Sequence, residues 1–185
     1  TVIECEHAGV SAMSIEDTAL PLAFGQTKDA VISTEEMCGK LKAAVAAKKD
    51  PTTVIAGRTA ALKVEGTAAT AARAKAYAAC GVDCIFVVGS ESIDQIKAIH
   101  DAAKLPIICG SAPASISREQ FLAAGARVVL QGHQPLAGAV KVLREIYSHL
   151  YNGGNPAELK SKIASNEEMD KMTHNAQYKE WIKTF

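Results

Sequence analysis

At 185 residues the chain can bury a substantial core, and one domain is the default reading of that length. Twenty Lys and Arg balance twenty Asp and Glu, so the formal charge is zero, and no basic stripe is present to draw in nucleic acid. Apolar residues make up 48%, much of it alanine, but the apolar runs are only a few residues long, which excludes a membrane-spanning helix.

The chain opens inside a helical pattern, Thr1–Ala8, that lacks an N-cap of its own, so the start of the domain is expected upstream. A strand, Ser11–Glu16, follows and runs out into Asp17-Thr18. The next stretch, Thr18–Ile32, has no clear period and carries Pro21 and Gly25. A connection that long without structure of its own is a lid, a binding loop or disorder, and this one would overhang the strand end. Ser33-Thr34-Glu35-Glu36 fits a capping box and starts a helix. Val54–Gly57 is the second strand and ends at Arg58-Thr59. An alanine-rich helix around Ala68–Ala79 leads to the third, Asp83–Val88, which ends at Gly89-Ser90-Glu91. The fourth, Leu105–Ile108, ends at Cys109-Gly110-Ser111, and the fifth, Arg127–Leu130, at Gln131-Gly132-His133. Between those two, Ser117-Arg118-Glu119-Gln120 fits a second capping box.

Gln134-Pro135 then opens a long helix, Leu136–Tyr151, with Gln134 as its cap and proline at the first helical position. Beyond Asn152-Gly153-Gly154, the pair Asn155-Pro156 and a third box, Ser165-Asn166-Glu167-Glu168, start the short helices of a tail. There Tyr178, Trp181, Ile182 and Phe185 fall at i, i+3, i+4 and i+7 and form one apolar face. That face is expected to pack in the core or, as the sharper alternative, on a neighbouring subunit.

One signature recurs in His7-Ala8-Gly9-Val10, Ala79-Cys80-Gly81-Val82 and Ala123-Ala124-Gly125-Ala126: a glycine between a helical pattern and a strand. A glycine just past a helix takes the left-handed conformation that stops the helix without steric penalty. Helix, stop, strand is the rhythm of parallel α/β sheets and (β/α)8 barrels, whose sites collect at the carboxyl ends of the strands. The predicted class is α/β, with five βα units where a closed barrel needs eight.

Five cysteines without a C-x-x-C pair are expected to be reduced thiols, packed as small hydrophobes. Cys5 and Cys38 lie in helical patterns, and Cys80 and Cys84 flank Gly81. The N-terminus shows no charged segment followed by an apolar core, so no signal peptide is visible and a cytoplasmic protein is expected.

Strand-end residues are the candidates for chemistry. Glu16 and Asp17 either cap a turn or touch a divalent cation through water, since hard cations take oxygen ligands. Arg58 is placed to clamp a substrate carboxylate with two parallel hydrogen bonds, or is an ordinary surface arginine. His133 would face the strand-end mouth, or cap the helix that follows. Cys109 holds the equivalent place on the preceding strand, so a Cys109–His133 pair is conceivable although no third orienting group is apparent. His7, His100, His149 and His174 lie in helical patterns and read as ordinary side chains.

Ser11-Ala12-Met13-Ser14-Ile15-Glu16-Asp17-Thr18 with Leu20-Pro21 resembles the fourth-strand signature of the isocitrate lyase/phosphoenolpyruvate mutase superfamily. Ala56-Gly57-Arg58-Thr59-Ala60, Arg73-Ala74-Lys75-Ala76-Tyr77 and Gly81-Val82-Asp83 look like its fifth strand, following helix and sixth strand. The resemblance implies a TIM-type (β/α)8 barrel, with strands 4 to 8 in residues 1–151 and a helical tail in residues 152–185. That tail suits the helix-exchanged homodimers or homotetramers of the family. Members that cleave isocitrate or methylisocitrate carry a Lys-Lys/Arg-Cys-Gly-His motif after the fourth strand. Here that loop reads Leu20-Pro21-Leu22-Ala23-Phe24-Gly25-Gln26-Thr27, without cysteine or histidine. Glu16–Pro21 with Phe24-Gly25, and Gly132-His133 after the last strand, look most like the oxaloacetate decarboxylase branch. That branch is expected to carry an aromatic hydroxyl near the end of the seventh strand, where this chain has Cys109-Gly110-Ser111.

What the resemblance implies is an enzyme using Mg2+, or Mn2+, on a small 2-oxo acid: oxaloacetate losing CO2 to give pyruvate through a metal-stabilised enolate. Carried over residue by residue, Glu16 would hold a metal-bound water, with the direct metal ligands on strands upstream of this chain. Arg58 would bind the substrate carboxylate or the developing enolate, and His133 would contact the substrate and favour oxaloacetate. The alternatives are a carboxyphosphonoenolpyruvate or phosphoenolpyruvate phosphonomutase-like or methylisocitrate lyase-like enzyme. From another class comes a catalytically inactive truncated barrel with a binding, antigenic or structural role.

Overall fold

The computed structural model describes residues 1–185 apart from Ala112, Ala114 and His133. These fall into two compact units, Thr1–Gly132 and His133–Phe185. In the first, the elements run α1 (Val2–His7), β1 (Ala12–Glu16), α2 (Thr34–Ala47), β2 (Val54–Thr59), α3 (Ala61–Val64), α4 (Thr67–Ala78), β3 (Cys84–Val87), α5 (Ile93–Ala103), β4 (Ile107–Cys109), α6 (Arg118–Ala123) and β5 (Ala126–Val129). All five strands are parallel, and each pairs with its successor in chain order. Helices separate every strand from the next, as parallel pairing requires of its crossovers. This is an α/β fold with the partial-barrel order expected of five consecutive βα units.

Alternation along the strands divides the sheet into two faces. Ile55, Ile85, Val87, Ile107 and Cys109 are fully buried, and they cluster with Met37 and Leu41 of α2, Ala74 and Tyr77 of α4, and Ile96 and Ile99 of α5. That helix-covered face is the core. The other face carries Ala12, Ser14 and Glu16 on β1, Arg58 on β2, Phe86 on β3 and Val128 on β5, and it is more open to solvent. At Gly57 a helix packs close on the sheet: a Cβ there would stand 3.3 Å from Cβ of Tyr77 on α4.

Helix starts follow the sequence. Ser33, Ser117 and Ser165 each accept a hydrogen bond from the backbone three residues on, and the last two form reciprocal boxes with Gln120 and Glu168. Ser33 is a one-way cap rather than the predicted box, and a third reciprocal box, Ser92 with Gln95 at the start of α5, was not among those predicted. The segment between β1 and α2 is not free of structure. Thr18 bridges Val31 in antiparallel sense and Ala19 N–H donates to Ala30, so the excursion is closed at its base.

The second unit holds α7 (Gln134–Tyr151), a 3-10 turn (Pro156–Leu159), α8 (Asn166–Met172) and α9 (Asn175–Thr184). Gln134 lies inside α7 rather than capping it. His174 is not helical either: it precedes α9 with φ of 52°. Tyr178, Trp181, Ile182 and Phe185 are exposed, so the apolar face does not pack in a core, and the Tyr178 and Trp181 rings meet edge to face at 5.4 Å. No helix among the described residues is long and apolar enough to cross a membrane.

The three predicted stop glycines all have positive φ: 81° at Gly9, 89° at Gly81 and 95° at Gly125. Their surroundings differ. A Cβ at Gly9 would meet nothing within 4 Å, whereas one at Gly125 would run into the His100 ring, which is held by Nδ1 against the Leu105 carbonyl at 2.9 Å. Gly9→Ala therefore carries only the left-handed strain, about 1–2 kcal/mol. Gly125→Ala adds overpacking and is expected to cost at least about 1 kcal/mol more. Urea unfolding of the two variants checks this, and equal midpoints would contradict it.

Candidate active site

Parallel pairing sets Glu16 opposite Arg58 and Arg58 opposite Phe86, one row across the carboxyl ends of β1, β2 and β3. The structure thus brings two of the sequence-predicted residues together. Arg58 Nε approaches Glu16 Oε2 at 3.4 Å, both side chains being 33% exposed, and the guanidinium lies 4.9 Å from the centre of the Phe86 ring. The approach to Glu16 is an ion-pair contact without hydrogen-bond geometry, and Nε is left buried with no hydrogen-bond partner among the described residues. Glu16 Oε1 accepts a 2.6 Å hydrogen bond from the Thr18 hydroxyl, and its backbone carbonyl accepts one from Lys40. His133, the third predicted residue, lies outside the described residues.

Asp17 has a different role from its neighbour. Strand alternation turns it to the helix-covered side, where it is fully buried. Its Oδ1 accepts from Ala60 N–H at 2.9 Å and its Oδ2 from the Tyr77 hydroxyl at 2.8 Å, with Arg73 Nη1 at 4.0 Å. Arg73 grips Glu65 with two 2.7 Å bonds and donates through Nη1 to the Ile32 carbonyl at 2.9 Å and to the Tyr77 oxygen at 3.2 Å. The Asp17 backbone donates to Arg58 O and accepts from Ile32 N–H. One carboxylate therefore ties the end of β1, the end of β2, α4 and the base of the excursion into a single frame.

Burial raises the Tyr77 phenol well above its ordinary pKa, the Arg73 hydrogen bond opposing that rise. The hydrogen bonds to Glu65 raise Arg73 in turn, and those to Arg73 hold the Glu65 carboxyl below its ordinary value. Sequence reading missed this frame. The available signal was Arg73 and Tyr77 at i and i+4, on the same stripe as buried Thr70 and Ala74: an arginine on a buried stripe requires an acid.

Cys109 cannot serve as a nucleophile here. It is fully buried, and desolvation pushes its thiol up to about 11, so the thiolate is scarce at neutral pH.

A metal ion fits these residues only indirectly. Mg2+ wants six oxygens in near-octahedral array, and the rim offers one half-exposed carboxylate, Glu16, already engaged by Thr18 and Arg58. Asp17 is committed to Ala60 and Tyr77. Among the described residues no three His, Cys, Asp or Glu side chains gather to hold a cation. The described residues do not form a direct metal site.

Residues 1–151 match the family model described as phosphoenolpyruvate phosphomutase. The chain belongs to that family. It is 42% identical over 174 residues, 94% of its own length, to an oxaloacetate decarboxylase of Rhodopseudomonas palustris strain HaA2. To an oxaloacetate decarboxylase of Bradyrhizobium diazoefficiens it is 41% identical over 180 residues, 97% of its length. It spans 60% and 62% of those two relatives. Among solved structures, a phosphoenolpyruvate phosphomutase of Streptomyces platensis matches with a TM-score of 0.82 at 26% identity, over all of this chain and 67% of that one. A phosphonopyruvate hydrolase in complex with oxalate and Mg2+ matches with a TM-score of 0.79 at 25% identity, over 97% of this chain and 64% of that one.

Two variants test the frame. Tyr77→Phe removes the hydroxyl that donates to Asp17 and is expected to cost about 1.5–3 kcal/mol, read from urea unfolding. Arg73→Gln addresses Glu65, whose lowered folded-state pKa contributes stability that is complete above the unfolded value and lost as pH falls through the folded one. The parent chain should lose stability as pH drops below about 4.5, and Arg73→Gln, weaker at neutral pH, should show a shallower acid decline. Parallel pH profiles would contradict the pairing.

Proposed function

We propose that the complete barrel to which these five units correspond is a lyase acting on a small 2-oxo acid, most simply oxaloacetate, releasing CO2 and pyruvate. The single observation that supports this reading most is the Glu16–Arg58–Phe86 row at the carboxyl ends of the strands, where a guanidinium is held in place with a donor still unmatched. A planar guanidinium pairs with a carboxylate through parallel bonds, and a buried unpartnered donor is a standing cost that an arriving carboxylate removes. In this proposal Arg58 orients the substrate carboxylate and steadies the charge that develops as CO2 leaves. Phe86 and Glu16 keep the guanidinium from swinging out to solvent. His133 is assigned the contact that selects oxaloacetate. Mg2+, or Mn2+, would supply a Lewis acid at the 2-oxo group, with its direct ligands drawn from outside these five units and Glu16 holding one of its waters. The relatives at 42% and 41% identity favour the oxaloacetate branch over a phosphonomutase reading, for which the solved structures at 25–26% identity give weaker support.

The proposal extends to organisation. Residues 1–151 are assigned to the barrel and 152–185 to a tail exchanged between subunits of a homodimer or homotetramer in the cytoplasm, and the exposed Tyr178, Trp181, Ile182 and Phe185 support that assignment. A second reading, a partial barrel that binds without catalysing, is favoured by one observation: the rim lacks enough carboxylates for a metal.

A decarboxylation assay separates the two readings. The 185-residue chain with Mg2+ should consume oxaloacetate no faster than Mg2+ alone. Completed with the missing part of the Rhodopseudomonas relative, it should accelerate the reaction. In that completed barrel Arg58→Ala and His133→Ala should each lower turnover by at least about tenfold, the scale on which well-aimed donors act. Undiminished rates in both variants would remove the assigned roles, and an inactive completed barrel would favour the binding reading.

A further inference from the structure

Two of the five cysteines meet across a helix pair. Cys38 projects from α2 and Cys80 follows the end of α4, helices that pack against each other. Both sulfurs turn to one acceptor, the Ala76 carbonyl, Cys80 at 3.3 Å and Cys38 at 3.8 Å. The shared acceptor thus brings the two thiols to the same turn of α4. Both side chains are partly exposed, unlike Cys84 and Cys109, which are buried.

We propose that Cys38 and Cys80 are a peroxide-reactive thiol pair that closes to a disulfide joining α2 to the end of α4. The two thiols are far apart in sequence and brought together only by the fold, each held by nothing stronger than a weak sulfur hydrogen bond to the shared carbonyl. Leaving that carbonyl therefore costs little. The Cys38 thiolate attacks a peroxide oxygen, breaking the O–O bond and giving a sulfenic acid and water once the released hydroxide takes up a proton. Cys80 sulfur then attacks the sulfenic sulfur, forming the S–S bond, and the expelled hydroxide leaves as a second water with the Cys80 proton. Two thiols are oxidised, one peroxide is reduced, and no other reactant is needed. Cys80 takes the second role by placement: desolvation, together with Cys38, pushes its thiol up to about 11, with Lys42 opposing, so the first attack is left to Cys38 and Cys80 gives up its proton as it attacks the adjacent sulfenic sulfur. This inference is independent of any activity at the strand ends.

The test is titration of the 185-residue chain with hydrogen peroxide, followed by thiol counting without denaturant, intact mass and peptide mapping. Expected are the loss of two hydrogens and of two titratable thiols, with one cross-linked peptide pair containing Cys38 and Cys80. A thiol reductant should reverse both changes. Cys38→Ser and Cys80→Ser should each abolish the cross-link while keeping the circular dichroism of the parent, and Cys5→Ser should leave it intact. Separate sulfinic acids at Cys38 and Cys80 would overturn the proposal, as would a cross-link through any other cysteine or a thiol count and intact mass unchanged by peroxide.

Discussion

A carboxylate with no access to water governs the rim of this sheet. Removing Asp17 from solvent is costly unless every lone pair it presents finds a donor, and breaking such a set typically costs several kcal/mol. The fold supplies the donors from three directions: Ala60 N–H just past β2, the Tyr77 hydroxyl on α4, and Arg73 a little farther away. Ala60 follows β2 whereas Tyr77 and Arg73 both stand on α4, so satisfying the carboxylate also fixes the end of β2 and α4 relative to β1. The excursion between β1 and α2 is drawn into the same arrangement, because Ile32 gives its N–H to Asp17 and its carbonyl to Arg73. A buried polar group fully satisfied in this way rigidifies its surroundings more than an apolar contact of the same size would.

The chemistry at the rim depends on that rigidity through a simple geometric fact. Neighbouring strand residues face opposite ways, so anchoring Asp17 inward compels Glu16 outward, and the Asp17 backbone bond to Arg58 O sets the height at which Arg58 emerges. Glu16 and Arg58 then meet because they are register partners, and Phe86 because it is the next partner along. No residue of the row needs a loop to place it. Sites mounted on strands are held more tightly than sites mounted on loops.

The architecture was readable from the chain because its signals are local. A glycine that must adopt positive φ, a serine three residues before an acid or amide, and short apolar runs at regular spacing each report on a few adjacent residues, and five parallel strands follow from them. Strand ends were read to within two residues: short at β2, where Arg58 and Thr59 belong to the strand itself, and at β4, but one residue long at β3 and β5. The pairing of Glu16 with Arg58 was legible only as two strand-end charges, since register is a property of separate segments. The Asp17–Tyr77–Arg73–Glu65 frame was hidden for the same reason: Asp17 and Tyr77 are sixty positions apart, and nothing in the sequence marks which member of Glu16-Asp17 turns inward. His100 looked like an ordinary helical side chain, yet its ring fills the space that Gly125 leaves, a contact no periodicity announces.

The edge of the sheet and the sparse carboxylates of the rim meet at one place, the end of β1. Parallel sheets are normally covered on both faces, because their crossovers put helices outside and closure fills the inside. Here one face is covered and the other leaves Ser14, Val128 and Leu130 in contact with solvent, while β1 and β5 form open edges. Glu16 sits on the edge strand. It has a neighbour on one side only, Arg58 on β2, and the place on its other side is where a strand pairing with β1 would present its own end. A cation near Glu16 would draw its remaining oxygens from that position, as five or six cannot come from one carboxylate and a threonine hydroxyl. A strand paired with β1 would satisfy the exposed backbone of that edge and stand beside Glu16.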